Sequence, residues 1–224
     1  MFGRLEWGKG RKCGEIRELY GMPVLTVETD PEGFGGDRRL RRAGQLLRKG
    51  GVIRVLPPRD GLRWELLRPL GLRPLDPAPL LRAQAPRLAL AGLERRGLDP
   101  RRAVLTLSAL RPDGELLRTA RALCPRVRRL VVDAPEGERL ARQLREEFGL
   151  PILPPGRQAD LCLRFHPGLP AGESPVMELW GERPKLAGLR LTAPELGEED
   201  REDLPLLCAL WQWGRLGEEG IKFA

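Results

Sequence analysis

The chain contains a single histidine, His166, so any imidazole acid, base or ligand must be that residue. It follows the apolar run Asp160-Leu-Cys-Leu163, at the C-terminal end of a candidate strand, where open α/β sheets hold their ligands. Two other polar residues end candidate strands in the same way. Ser108 closes Ala103-Val-Leu-Thr-Leu107, and Asp133 closes Arg129-Leu-Val-Val132, 25 residues further on. An acid at such a tip can accept a hydrogen bond from a ribose, or simply cap the helix that begins near Glu136. His166 is the best catalytic candidate, and Ser108, Asp133 and His166 together form the candidate cofactor-binding set. The competing reading of His166 is a loop histidine that holds only its own backbone.

A second candidate is the loop Gly33-Phe-Gly-Gly-Asp37, whose amides can cradle an anion between a strand and a helix. Gly35 and Gly36 would supply the amides, with charge from Arg38 and Arg39. Glu28, Asp30, Glu32 and Asp37 surround that loop with negative charge and favour a plain turn. Cys13 lies among basic residues, conditions that activate a thiol, but no histidine is near it in sequence to act as base. The cysteines at 13, 124, 162 and 208 form no C-x-x-C pair and have no histidine at ligand spacing, so no metal site is expected. Cys124, Cys162 and Cys208 sit in apolar periods and read as small buried hydrophobes.

These residues need elements to hold them. From Arg101 to Gly168 the chain reads strand, helix, strand, helix, strand, strand. The helical periods are Asp113–Cys124 and Glu136–Phe148, and Pro151-Ile-Leu153 and Asp160–Leu163 close the set. Ahead of this lie a strand at Pro23–Glu28, an arginine-rich helix Arg38–Lys49 with Asp37 as expected cap, and a strand at Val52–Leu56. This second βαβ unit leaves open whether the two halves share one sheet. Trp64–Leu70 reads as a short helix, and Pro79–Arg96 as another that restarts at Pro86. Past a Pro/Gly loop at Leu169–Ser174, further strands are expected at Val176–Trp180 and Leu186–Leu191. The acidic run Glu195–Asp203 reads as the start of a helix whose apolar side includes Leu206, Leu207, Leu210 and Trp211. Asp160 is expected to order the turn into its strand, and the five tryptophans are expected in the core. The fold class is therefore α/β: a Rossmann-like parallel sheet with helices on both faces, preceded by a smaller basic α/β lobe. The expected division is 1–97 and 98–224.

Residues 101–168 resemble the Rossmann domain of the shikimate dehydrogenase and glutamyl-tRNA reductase group. The resemblance lies in the order of elements, in Glu138-Arg-Leu-Ala-Arg-Gln-Leu144, in Ala159-Asp-Leu-Cys-Leu163, and in Arg164-Phe-His-Pro-Gly168. It implies NAD or NADP as cofactor, with Asp133 at the adenosine ribose and the 164–168 loop near the nicotinamide. The chain departs from the group at the first turn, where Ser108-Ala-Leu-Arg-Pro-Asp-Gly114 has one glycine instead of a glycine-rich loop. Pro112 would crowd a pyrophosphate and Asp113 would repel it. The first lobe offers no clear match to the group's catalytic Lys/Asp pair.

The net charge is +8, yet only 5 of the 39 basic residues are lysine, a pattern that biased coding DNA produces without any ligand. Residues 1–75 hold 16 basic and 9 acidic side chains, so the excess belongs to the first third of the chain. The helix 38–49 could track a nucleic-acid backbone, but aromatic residues are only 5% of the chain and base-stacking platforms are missing. Nucleic acid is thus not the expected partner; a small metabolite, a nucleotide or another protein is. No run approaches the ~20 apolar residues of a membrane span. A cytoplasmic setting is expected. The leading expectation is a degenerate nucleotide- or small-metabolite-binding module, leaning away from an enzyme. The alternatives are an NAD(P)-linked oxidoreductase with an unusual pyrophosphate loop, or a nucleic-acid-associated protein using helix 38–49.

Overall fold

The computed structural model describes residues 1–8, 13–58, 61–156, 158–168 and 174–224. The basic segment 9–12 and residues 169–173 of the Pro/Gly loop expected at 169–174 lie outside the described residues. The chain forms two compact units, Met1–Asp76 with Ala193–Ile221 and Pro77–Thr192 with Lys222–Ala224. They contain separate five-stranded sheets, not one shared sheet.

The first unit opens with β1 (Phe2–Trp7), β2 (Glu15–Leu19) and β3 (Met22–Thr29). Sequence reasoning expected only the third. Tyr20 (φ 50°) and Gly21 (φ 77°) make the two-residue turn between β2 and β3, since Leu19 pairs directly with Met22. Next come α1 (Gly36–Lys49), β4 (Arg54–Leu56), α2 (Trp64–Leu67) with a 3₁₀ turn at Arg68–Leu70, and β5 (Arg73–Pro74). The sheet order is β2-β3-β1-β4-β5, parallel throughout except for β2.

Helix α1 buries Leu40, Ala43 and Leu47 against Leu5, Val27 and Val55 of the sheet, while its arginines lie on the exposed side. Close approach is built in at Gly44, where a Cβ would fall 2.6 Å from Leu67 and 2.8 Å from Leu70. Asp37 does not cap this helix. The cap position is Gly35, in the left-handed conformation with no side-chain hydrogen bond, and Asp37 lies one residue inside the first turn.

The segment Ala193–Ile221 adds the helix Leu204–Gln212 to this unit. Gln212 accepts from Arg54 of β4 at 3.1 Å, Cys208 reaches the Asp76 carbonyl at 3.2 Å, and Trp213 stands edge-on to Phe2 with centroids 6.3 Å apart. Contrary to expectation, the acidic run does not begin the helix but leads up to it. Asp203 is the cap, accepting from the Leu206 amide at 3.0 Å. The tryptophans are only partly buried, and Trp213 is 41% exposed.

The second unit begins with α3 (Ala78–Ala83) and α4 (Ala85–Arg95), the restart expected at Pro86. An expected boundary at 97 would separate these helices from the sheet they cover. A Cβ on Gly92 of α4 would fall 2.2 Å from Met177 and 3.1 Å from Leu161, so α4 lies tightly on that sheet. The alternation follows as read: β6 (Val104–Ser108), α5 (Gly114–Leu123), β7 (Arg129–Asp133), α6 (Gly137–Phe148), β8 (Ile152–Leu153), β9 (Leu161–Arg164) and β10 (Val176–Glu178). All neighbours pair in parallel, in the order β10-β9-β6-β7-β8. With β6 counted as the first strand this is 3-2-1-4-5, a Rossmann strand order, with its switch point between β6 and β9. The strand expected at Leu186–Leu191 is not formed. Leu186 makes one antiparallel bridge to Met177, and β11 (Leu191–Thr192) pairs with β12 (Lys222–Phe223).

Helices α4, α5 and α6 stand side by side, α4 against β9 and α6 against β7 and β8. The alternation of strand side chains then assigns the faces. Leu105, Leu107, Leu161, Leu163 and Met177 share the helix-covered face. Thr106, Ser108, Val131, Asp133, Cys162, Arg164 and Glu178 share the other.

Candidate functional site

Registry puts four polar residues in one row at the C-terminal edge of the second sheet. Ser108 of β6 pairs with Asp133 of β7 on one side and Arg164 of β9 on the other, and Arg164 pairs with Glu178 of β10. Partners in a parallel ladder point to the same face, so the row reads Asp133, Ser108, Arg164, Glu178 across four adjacent strands. It straddles the switch point. Ser108 and Arg164 are each only 6% exposed.

The three residues expected to form a site are brought together. The Ser108 hydroxyl donates to Asp133 Oδ2 at 3.1 Å and lies 3.4 Å from His166 Nε2. His166 Nδ1 lies 2.8 Å from the Pro167 carbonyl, which can only accept, so Nδ1 donates there, and in that tautomer Nε2 is an acceptor. One hydroxyl proton therefore stands between two acceptors, a carboxylate and an imidazole nitrogen. A ligand hydroxyl or amine that donates to either would satisfy the other through Ser108. The arrangement is not a nucleophile triad, because Asp133 holds the serine and not the imidazole. Nor does Asp133 cap α6. Its Oδ2 accepts from Ser108, and the cap position is Glu136, with φ 57° and no side-chain bond.

At the adjoining turn, Asp113 caps α5. Its Oδ1 accepts from the amides of Glu115 at 3.1 Å and Leu116 at 2.9 Å. Those are first-turn amides of the kind that a bound pyrophosphate uses in dinucleotide-binding sheets. The protein's own carboxylate fills the anion position.

Sequence reasoning missed Arg82 and Arg164. Arg82 of α3 donates to the Phe165 carbonyl at 2.8 Å and the Leu179 carbonyl at 3.3 Å, and pairs with Glu115 at 2.9 Å. It fastens the ends of β9 and β10 to the first turn of α5 and so fixes the edge that carries the row. Nothing in the local sequence signals this, because the partners are 33 to 97 residues away. Arg164 was read as the first residue of a loop. It is the last residue of β9, and its even spacing from Cys162 and His166 was the available signal. Asp160 orders the strand entry as expected, accepting from the Val104 amide at 2.8 Å.

The other candidates do not join this group. At the glycine loop, Gly35 precedes α1 in the left-handed conformation, and Gly36 donates to the Gly33 carbonyl at 3.2 Å. Arg39 folds back onto the loop and donates to the carbonyls of Asp30, Glu32 and Phe34. Its guanidinium holds the turn together, while Arg38 is exposed on α1. Cys13 is exposed, and the lysines and arginine just before it lie outside the described residues. Burial pushes the Cys124 and Cys162 thiols up to about 11, with Glu147 adding to the effect at Cys124. At Cys162 the Arg164 charge opposes burial and Asp133 reinforces it.

The first unit has an open cleft of about 370 Å³ at the ends of β1 and β4, lined by Trp7, Pro57, Pro58 and several acids. The acids have structural partners. Glu6 pairs with Arg4 and Arg17, Asp200 accepts from Tyr20 at 2.9 Å, and Asp203 caps its helix. Among the described residues, no cluster of three His, Cys, Asp or Glu side chains could hold a metal, and no helix is long and apolar enough to cross a membrane.

No family model matches the chain, and no curated protein matches it in sequence. Solved structures similar to it include L-tryptophan dehydrogenase from Nostoc punctiforme, at 18% identity and a TM-score of 0.31, covering 64% of this chain and 44% of that one. Another is the apo form of D-lactate dehydrogenase from Escherichia coli, at 13% identity and a TM-score of 0.31, covering 58% of this chain and 48% of that one. The chain thus spans less than half the length of either.

Proposed function

We propose that the chain is a nucleotide- or small-metabolite-binding module, and that its ligand sits at the C-terminal edge of the second sheet. One observation carries this reading: the Ser108 hydroxyl stands between Asp133 and His166 at the switch point of a 3-2-1-4-5 parallel sheet. Asp133 and His166 offer acceptors to a ligand's hydroxyl or amine, and Ser108 ties the two together. The Asp113 cap argues that the ligand is gripped without a pyrophosphate. Four cysteines outside any disulfide, three of them buried, suit a reducing, cytoplasmic setting.

The second reading is an NAD(P)-linked oxidoreductase of the kind found in the shikimate dehydrogenase and glutamyl-tRNA reductase group. It is favoured by the placing of Asp133 at the tip of the second strand, where an acid receives an adenosine ribose. Thermal-shift titration of the chain and its Asp133→Ala variant against NAD, NADP, ATP, S-adenosylmethionine and small hydroxy- and amino acids separates the two readings. The module reading predicts saturable stabilisation by a compound lacking a pyrophosphate, lost in the variant. Stabilisation by NAD or NADP alone supports the oxidoreductase. No stabilisation by any member of the panel removes both.

A further inference from the structure

Arg164 is 6% exposed, and its Nη2 is buried with no hydrogen-bond partner among the described residues. A guanidinium keeps its charge at any pH a protein tolerates, so it cannot relieve its burial by losing a proton, as a lysine can. A buried charge with an unmet donor is among the costlier features a fold can carry. The carboxylates in its row do not meet the need: neither Asp133, which receives the Ser108 hydroxyl, nor Glu178, which receives the Lys185 amide at 3.2 Å, bonds to Arg164 Nη2. Cys162, one row below on β9, shares this face with Arg164 and Asp133 by register.

We propose that Arg164 receives the carboxylate group of a small metabolite at the edge of the second sheet. This rests on the ligand site proposed above and names the chemistry of its ligand. The planar pair of carboxylate oxygens matches a guanidinium fork. A phosphate fits less well on two counts. Its second charge would meet Asp133 and Glu178, which stand in the same row, and the helix amides that would share the load are taken by Asp113. With its carboxylate on Arg164, a ligand carrying a neighbouring hydroxyl or amine can reach the acceptors that flank Ser108.

Titration calorimetry on the whole chain tests this with three probes at fixed ionic strength: glycolate, its neutral isostere glycolamide, and inorganic phosphate. Glycolate is expected to bind saturably, with glycolamide and phosphate at least tenfold weaker. Arg164→Met should lose tenfold or more for glycolate, while Arg164→Lys should keep part of the affinity. Arg164→Met should also melt a few degrees higher without ligand, because it removes an unmet buried charge. Equal binding of glycolamide, tighter binding of phosphate, undiminished glycolate binding by Arg164→Met, or a lower melting temperature for that variant would each overturn the proposal. If panel compounds still bind through Asp133 while glycolate ignores Arg164, the carboxylate assignment alone fails. If nothing depends on either residue, the ligand site fails with it.

Discussion

Ser108 and Asp133, 25 residues apart in sequence, are register partners at the ends of β6 and β7, joined by a 3.1 Å hydrogen bond from hydroxyl to carboxylate. The bond is largely sheltered, since Ser108 is buried. Hydrogen bonds to charged acceptors contribute about 1.5–3 kcal/mol. Ser108→Ala and Asp133→Ala should therefore be non-additive in urea unfolding, with a coupling of about 1–2 kcal/mol. Additivity to within about 0.3 kcal/mol would mean that the pair does not act as a unit.

Asp113 is expected to act as a cap and as a plug. Asp113→Ala should cost about 1 kcal/mol of stability, as loss of a cap does, and lower the melting temperature by about 2–4 °C. The same change frees the amides of Glu115 and Leu116, so sulfate should stabilise the variant more than the parent. Equal response to sulfate in both proteins would show that the carboxylate blocks nothing.

Two glycines should respond very differently to a methyl group. At Gly36 a Cβ would lie 2.0 Å from the Pro31 carbonyl oxygen, a backbone atom with little freedom to move. At Gly92 the nearest atom, at 2.2 Å, is the terminal methyl of Met177, which can swing aside. Gly36→Ala should destabilise by about 3 kcal/mol or prevent folding, as overpacking against rigid structure does. Gly92→Ala should cost less than about 1.5 kcal/mol, because better helix propensity offsets part of the crowding. Denaturation midpoints of the two variants check the order.

The buried thiols give a pH dependence of definite sign. Burial raises Cys124 and Cys162 from 9.0 to about 11, so below pH 9 both stay protonated, folded or unfolded, and their neutral forms suit the core. Between pH 9 and 11 the unfolded chain ionises first, and stability falls as pH rises. The expected loss is on the order of 2 kcal/mol per thiol at the upper end. Cys124→Ala and Cys162→Ala should each flatten this slope. In the native protein at pH 8, a thiol reagent should modify the exposed Cys13 and spare these two.

The strands of the second sheet were legible because each is a short apolar run bounded by a helical period, and a buried parallel strand has no polar face to confuse the pattern. Their order gave Ser108, Asp133 and His166 a common edge before any distance was known. The first sheet was harder. β1 is its central strand, yet Arg4 and Glu6 point away from α1 toward an open cleft, so the strand lacks the apolar continuity of a central position. β2 is a mostly exposed edge strand, and its turn places Tyr20 where Asn or Asp would have announced a hairpin. Arg164 was hidden for a different reason. An arginine ending an apolar run ordinarily marks a strand's exit to solvent, and only tertiary structure turns this one inward.

His166 is the only imidazole in the chain, so its ring Cε1 proton gives one resonance that reports directly on the site. The most direct test follows that resonance while adding whichever compound stabilises the protein in the thermal-shift panel. A ligand seated at the edge of the second sheet must shift it saturably, at the concentration that raises the melting temperature, and Asp133→Ala must abolish the shift. A compound that stabilises the chain yet leaves the His166 resonance in place binds elsewhere, and the site at Ser108, Asp133 and His166 would then be wrong.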